Sequence, residues 1–303
     1  MLKKIIKSFV DYIYLRKIDD IKIQKGKIFE FGLQKNLKNI KNIQSTYFKV
    51  FSQDFEDGII QYLLKSLKIY NVRFVEIGTQ DYTESNTRYL FETMRCDGLL
   101  IDPYPNLEKK IKSFCKTWQN NIKIHNDYIN SQNINNILKK HSFEGNLDIF
   151  SLDIDGIDYW ILKEIKPKIS KIFIVEYNPY FGPTKNISAP NIEKFDRFKY
   201  HYTGFCFGAS LLSIINLMKQ KGYTFIGTNR LNCNAFFIQN SLLRKINLKI
   251  PNLKDLSKFT NIKFKVLKDK KGNLVSFNEI KNELKNINVF SINKKKILKF
   301  NKC

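Results

Sequence analysis

Acidic residues recur at one kind of position in this 303-residue chain, directly at the end of a short apolar run. Residues 72–77 carry Glu76 and run into Gly78. Residues 98–101 close on Asp102, residues 147–152 lead into Asp153, Asp155 and Gly156, and residues 171–175 lead into Glu176 and Asn178. Such runs read as strands buried on both faces. In an open parallel sheet, ligands bind beyond the carboxyl ends of the strands. Four strands therefore deliver carboxylates to one rim, where they can accept from hydroxyl or ammonium groups, remove a proton from a nucleophile, or hold a hard cation. The unit over residues 71–102 is the most telling. It reads as strand, turn at Gly78, helix over about 85–94, and second strand ending in Asp102, an acid placed for a ribose diol. Gly78 lets the backbone come close to a ligand, and Glu76 can accept from an ammonium.

Taken in order, Ser52-Gln-Asp-Phe-Glu-Asp-Gly58, Val75-Glu-Ile-Gly-Thr-Gln-Asp81, Leu100-Ile-Asp102, Ser151-Leu-Asp-Ile-Asp-Gly156 and Val175-Glu-Tyr-Asn-Pro179 resemble class I S-adenosylmethionine (SAM) methyltransferases, close to the FkbM-type O-methyltransferases. The resemblance spans about residues 50–240. It implies an α/β fold, a Rossmann-like seven-stranded methyltransferase sheet with helices on both faces and an antiparallel seventh strand. The helix 211–221 and the strands 223–228 and 234–238 supply the last elements. It implies SAM as cofactor, held by Glu76, Gly78 and Asp102, with Asp81, Glu84 and Ser85 at its amino-acid end and Asp127, after a strand at 121–125, beside the adenine. Glu84 and Ser85 read equally well as helix caps, and Asp127 as a solvated loop residue. Many relatives carry further glycines after the first; here Gln80 and Tyr82 stand there.

Asp153, Asp155 and Asp158 crowd around Gly156, Asp158 being placed to cap a helix over 159–165. Crowded carboxylates repel unless one is protonated or a cation intervenes. Two readings stand side by side. A divalent cation such as magnesium (Mg2+) would take oxygens from Asp155, Glu176 and Asn178, by analogy with catechol-type O-methyltransferases. Alternatively, a metal-free general base acts, Asp153 or Asp155 before Glu176, with His201 in reserve because an unperturbed pKa of roughly 6.5 suits neutral pH. His201 lies in the long connection 177–207, whose Phe195, Phe198, Tyr200, Tyr202, Phe205 and Phe207 either stack on a sugar face or cover the sheet edge. Gln53 and Asp57 either line the substrate entrance or favour the first turn of a helix running to Leu67.

Three segments follow: a basic N-terminal extension (1–50), a methyltransferase-like domain (51–240) and a basic C-terminal appendage (241–303). The net charge of +24 sits on the flanks, where residues 1–50 hold 12 Lys/Arg against 4 Asp/Glu and residues 241–303 hold 17 against 4. Only seven of the 52 cations are arginine, the side chain best matched to phosphates and bases, so nucleic acid is the disfavoured partner. Residues 1–17 read as a basic amphipathic helix that packs on the domain or a second copy, or touches a membrane surface; residues 20–50 read as short strands or loops. Five cysteines without C-x-x-C spacing fit a reducing, cytoplasmic setting. The expected activity is methyl transfer to a hydroxyl of a small-molecule or glycan-type acceptor, as in surface-polysaccharide biosynthesis. A non-catalytic binding protein and an RNA methyltransferase are the alternatives.

Overall fold

A computed structural model describes residues 2–46, 48–115, 117–262 and 267–303, with residues 2–15 as backbone only. The chain opens with α1 (Leu2–Asn36) and enters the α/β body through α2 (Glu56–Leu67). There follow β1 (Asn71–Ile77), α3 (Arg88–Thr93), β2 (Arg95–Ile101), α4 (Leu107–Phe114), β3 (Asn121–His125), α5 (Ile134–Lys140), β4 (Leu147–Leu152), α6 (Asp158–Glu164) and β5 (Ser170–Glu176). A connection carrying β6 (Ile187–Ser188) and α7 (Arg197–Tyr200) leads to α8 (Leu211–Gln220), β7 (Tyr223–Thr228) and β8 (Asn234–Gln239). The C-terminal part holds β9 (Leu267–Lys268), β10 (Leu274–Val275), α9 (Phe277–Leu284), β11 (Asn288–Ser291) and β12 (Lys296–Lys299).

Seven strands form one sheet in the order β3-β2-β1-β4-β5-β8-β7. Pairing is parallel except at β8, which runs antiparallel to both β5 and β7. This is the strand order of the Rossmann-like methyltransferase fold. The central strands are apolar on both sides because each side is covered. Phe74, Leu100, Ile149 and Ile174 face the layer containing Leu63 and Leu64 of α2, whereas Val75, Leu99, Phe150 and Val175 face Ile137, Ile161 and Leu211 of α5, α6 and α8. The order reverses between β1 and β4, so the loops leaving these two strands diverge and open a crevice at their carboxyl ends.

Two regions depart from expectation. Instead of a short helix followed by strands or loops, residues 2–36 form one helix. Tertiary contacts hold its second half: Asp19 pairs with Arg88 at 2.5 Å, Glu30 with Lys65 at 2.7 Å, and Leu33 is buried. Such support is invisible to local patterning. The side chains of the amphipathic stripe expected over 1–17 lie largely outside the described residues. Among the described residues, no helix is long and apolar enough to cross a membrane.

The C-terminal segment is built onto the long connection. β6 joins β11 and β12 in a second sheet, and Tyr180, Phe181 and Phe205 share a core with Leu284, Ile287 and Val289. A hairpin turn at 269–273 joins β9 to β10, with the Asp269 carboxylate accepting from the N–H groups of Lys271 and Asn273.

Candidate active site

The loop after β1 is organised by Glu76. One carboxylate oxygen accepts from Ser85 Oγ (2.6 Å), Thr87 N (3.1 Å) and Thr87 Oγ1, and the other from Asn86 N (2.9 Å). Burial raises its pKa, and these hydrogen bonds oppose the rise. Glu76 and Ser85, both expected at the cofactor, thus also hold one another. Because residues 85–87 serve this loop, α3 begins only at Arg88.

Gly78 sits at φ +86°, and a Cβ there would lie 1.4 Å from the carbonyl oxygen of Asp153. Its freedom is demanded by the passage of the chain leaving β4, a reason the sequence reading, which invoked a ligand, did not contain. Gln80 (φ +47°) and Tyr82 (φ +64°) are left-handed without being glycines. That conformation costs roughly 1–2 kcal/mol per residue. The Gln80 N–H donates to Asp102 Oδ2 (2.7 Å), and the buried Tyr82 hydroxyl bonds Thr87 Oγ1 (3.0 Å), so tertiary contacts keep the turn that glycines would have given freely.

Asp102 accepts on its other oxygen from Tyr104 N (2.8 Å); burial raises its pKa against these bonds. Asp81 accepts from Thr83 N (3.0 Å) and pairs with Lys110 at 3.6 Å. Asp127, after β3, accepts from Tyr128 N (2.7 Å). The structure brings Glu76, Gly78, Asp81, Glu84, Ser85, Asp102 and Asp127 to the wall of one cavity of about 360 Å³, shared with Gln53, Asp153, Asp155, Glu176, Phe195, Arg197, Phe207 and Asn234.

On the β4–β5 side the carboxylates divide by environment. Asp153 hydrogen-bonds Glu176, and both pKa values are pushed well up by burial first; the charges of Asp155 and Asp158 then raise Asp153 against its hydrogen bond with Glu176, and the charges of Asp153 and Asp155 raise Glu176. Carboxyl groups this close and this buried favour protonation over a second negative charge. Asp155, at φ +53°, turns outward to pair with Arg197, while its own N–H donates to Glu176 Oε2 (3.2 Å). The Arg197 guanidinium is buried, lies 4.0 Å from the centre of the Phe207 ring and donates from Nε to Gly204 O (2.9 Å). Asp158 accepts from the N–H groups of Ile154 (2.9 Å) and Gly156 (3.0 Å), so it closes the loop before α6.

Burial pushes the Asp158 carboxyl up to about 6 from 3.8. A carboxyl raised on folding contributes stability that is full below its unfolded pKa and lost as pH rises through the folded value. Asp158, with Asp153 and Glu176 shifted the same way, should therefore make the protein more stable at pH 5 than at pH 7. At 1.36 kcal/mol per unit, Asp158 alone accounts for on the order of 2–3 kcal/mol between pH 3.8 and 6. Thermal melts of the wild type and Asp158→Asn check this, the variant being expected to show the smaller gain on acidification; a wild-type Tm that falls from pH 7 to 5 contradicts it.

Two expected site residues lie elsewhere. Asn178 is fully buried, donating from Nδ2 to Phe205 O (2.8 Å) and Phe207 O (3.1 Å) and accepting from Tyr180 N (3.0 Å). Its amide fastens the connection to β5 and stands outside the cavity wall that Asp155 and Glu176 line. Among the described residues, no group of three or more His, Cys, Asp or Glu side chains is arranged to hold a metal. Arg197, paired with Asp155, offsets part of the repulsion that motivated Mg2+. Dialysis against EDTA is accordingly expected to leave the Tm unchanged, and a rise of several degrees on adding magnesium would reveal a cation site. His201 bonds Thr203 Oγ1 through Nδ1 (2.8 Å), lies tilted against Tyr202 and stands outside the cavity wall.

Of the residues at the entrance, Gln53 lines the cavity. Asp57 is buried, and one of its oxygens accepts from the N–H groups of Val50, Phe51 and Ser52 at 2.7 to 2.9 Å. Sequence reasoning missed Arg197, although an arginine in so lysine-rich a chain, beside Phe195, was the available signal. It also missed Asn234 and Glu56. Glu56 is fully buried at the start of α2 and accepts from Asn229 Nδ2 (2.7 Å) and Asn234 Nδ2 (3.0 Å).

No family model matches the sequence, and no curated protein does. Solved structures similar to the chain include the N-terminal domain of EvdMO1 with SAH bound (10% identity, 62% of this chain and 82% of that one, TM-score 0.41). An O-methyltransferase family protein from Burkholderia thailandensis (10%, 72% and 70%, TM-score 0.35) and coclaurine N-methyltransferase bound to N-methylheliamine and SAH (10%, 71% and 72%, TM-score 0.34) are others. These likenesses are remote, and the fold stands on the strand order itself.

Proposed function

We propose that the chain is a SAM-dependent O-methyltransferase acting on a hydroxyl of a small-molecule or glycan-type acceptor. The observation that carries this is the cavity at the β1/β4 switch point. It joins the acid ending β2, Asp102, to the hydrogen-bonded pair Asp153–Glu176. Its carboxylates suit a cationic sulfonium, and Asp102 keeps lone pairs for a ribose diol at the position where such acids act.

Bound SAM would supply an electrophilic methyl group. The loop tied by Glu76 would hold its amino-acid end with Asp81 and Ser85, and Asp127 would lie towards the adenine. Alignment of the acceptor oxygen with the methyl carbon can supply about 7–11 kcal/mol. Removal of the hydroxyl proton adds about 10²–10⁴-fold, and falls to Asp153–Glu176, whose raised affinity for protons brings the pair towards the operating pH. Arg197 holds Asp155 aside and limits the negative charge on the pair. The left-handed Gln80 and Tyr82 preserve the turn despite the missing glycines, which removes the motive for a non-catalytic reading. The acidic cavity wall does not favour an RNA acceptor.

Calorimetric titration with SAM and with its demethylated product SAH tests the proposal. Micromolar binding of both is expected, and no binding of either sinks it.

A further inference from the structure

Asn234 opens β8 directly opposite Glu176, the last residue of β5. It is 2% exposed and lines the cavity. Its amide orientation is fixed, because Nδ2 donates to a Glu56 carboxylate oxygen (3.0 Å); turned over, the amide would set oxygen against oxygen. Among the described residues, the other end, Oδ1, has no hydrogen-bond partner. A buried carbonyl left unmatched costs about 1–3 kcal/mol, so this atom is a seat for a donor that arrives with a ligand.

Beside that seat stands the Asp153–Glu176 pair. The two acceptors differ in kind. An amide oxygen accepts a hydrogen bond but does not take the proton, whereas a carboxylate does both. A single hydroxyl would leave one of them unanswered. A primary amine would be held between carboxylates as an ammonium, without the lone pair it needs to attack carbon. Two adjacent hydroxyls satisfy both acceptors, and the rings of Phe195 and Phe207 offer apolar surface to the carbon frame that carries them.

We infer that the acceptor is a vicinal diol, as in a sugar or cyclitol ring, with one hydroxyl donating to Asn234 Oδ1 and its neighbour reacting at Asp153–Glu176. The inference rests on the methyltransferase reading above. In the transfer, the reacting O–H bond breaks and its proton passes to the carboxylate pair. The oxygen forms a bond to the methyl carbon while the S–CH3 bond breaks, and the electron pair stays on sulfur, which becomes the neutral thioether of SAH. Asn234 takes no proton, so it is a specificity-determining residue that sets which hydroxyl reacts.

Saturation-transfer NMR on the full chain loaded with SAH, using cis-cyclohexane-1,2-diol, cyclohexanol and 2-methoxycyclohexanol as probes, tests this. The diol is expected to bind about tenfold tighter than either mono-ol, within what an unmatched buried acceptor costs. In Asn234→Leu that preference should vanish while SAH affinity stays within about twofold. Equal binding of the three probes, a preference that survives in Asn234→Leu, or no diol binding to the SAH complex overturns the proposal. Should Asn234→Leu not fold, the wild-type comparison decides alone, since the methyl ether removes one donor and keeps ring and oxygen. A chain that binds no SAH overturns the methyltransferase reading and this inference together; one that binds SAH but no diol overturns only the inference.

Discussion

Gly78→Ala is expected to cost the protein more than about 4 kcal/mol, in the range that single substitutions rarely reach. The added Cβ would stand 1.4 Å from the Asp153 carbonyl oxygen and 2.5 Å from its carbon, with φ at +86°. Neither neighbour is the movable tip of a side chain. The Asp153 N–H donates to Ile77 O and the Gly78 N–H to Ile101 O, each at 3.0 Å, so the ends of β1, β2 and β4 are locked together at this point. Relief requires them to part, which would open the floor of the cavity. Gly272 is the control: its φ is +85°, but nothing lies within 4 Å of its missing Cβ. Gly272→Ala should show only left-handed strain, roughly 1–2 kcal/mol. Urea denaturation of the two variants separates close approach from backbone strain; equal losses would mean that the chain leaving β4 does not pass Gly78 as described.

The rim of acids was legible because parallel strands buried on both faces appear in sequence as uninterrupted apolar runs, and topology alone carries their ends to one edge. That logic places Glu76, Asp102, Asp153 and Glu176 around one cavity without any knowledge of side-chain contacts. What it cannot say is which acids remain open. Glu76 reads as a ligand until residues 85–87 are seen to fold back on it, and Asp57 reads as an entrance residue until the 50–52 backbone is seen to converge on it.

The amides show the same limit. Asn178 follows Glu176 in sequence and looked like its partner, yet its side chain clamps the connection. Asn234 is Glu176's neighbour through strand register across the sheet, a relation that no local pattern encodes. Helix α1 was cut short in the reading for a similar reason, since Glu30 and Leu33 are held by partners remote in sequence.

Asp102→Ala should weaken SAH binding by at least about 100-fold, as expected if two ribose hydroxyls donate to its carboxylate at about 1.5–3 kcal/mol each. The sequence gives Asp102 a single task, at the ribose, but the structure gives it a second. Its oxygens hold the N–H groups of Gln80 and Tyr104, and Gln80 is left-handed. The variant should therefore also lose about 1–2 kcal/mol of stability, and a loosened loop by itself could weaken the cofactor. Gln80→Gly separates the two effects, because glycine adopts φ +47° without strain. Placed on Asp102→Ala, it should return most of the lost stability while leaving the affinity low. Full recovery of SAH affinity in the double variant would show that Asp102 only shapes the loop. An Asp102→Ala protein that binds SAH within about threefold of wild type would remove Asp102 from the cofactor site altogether.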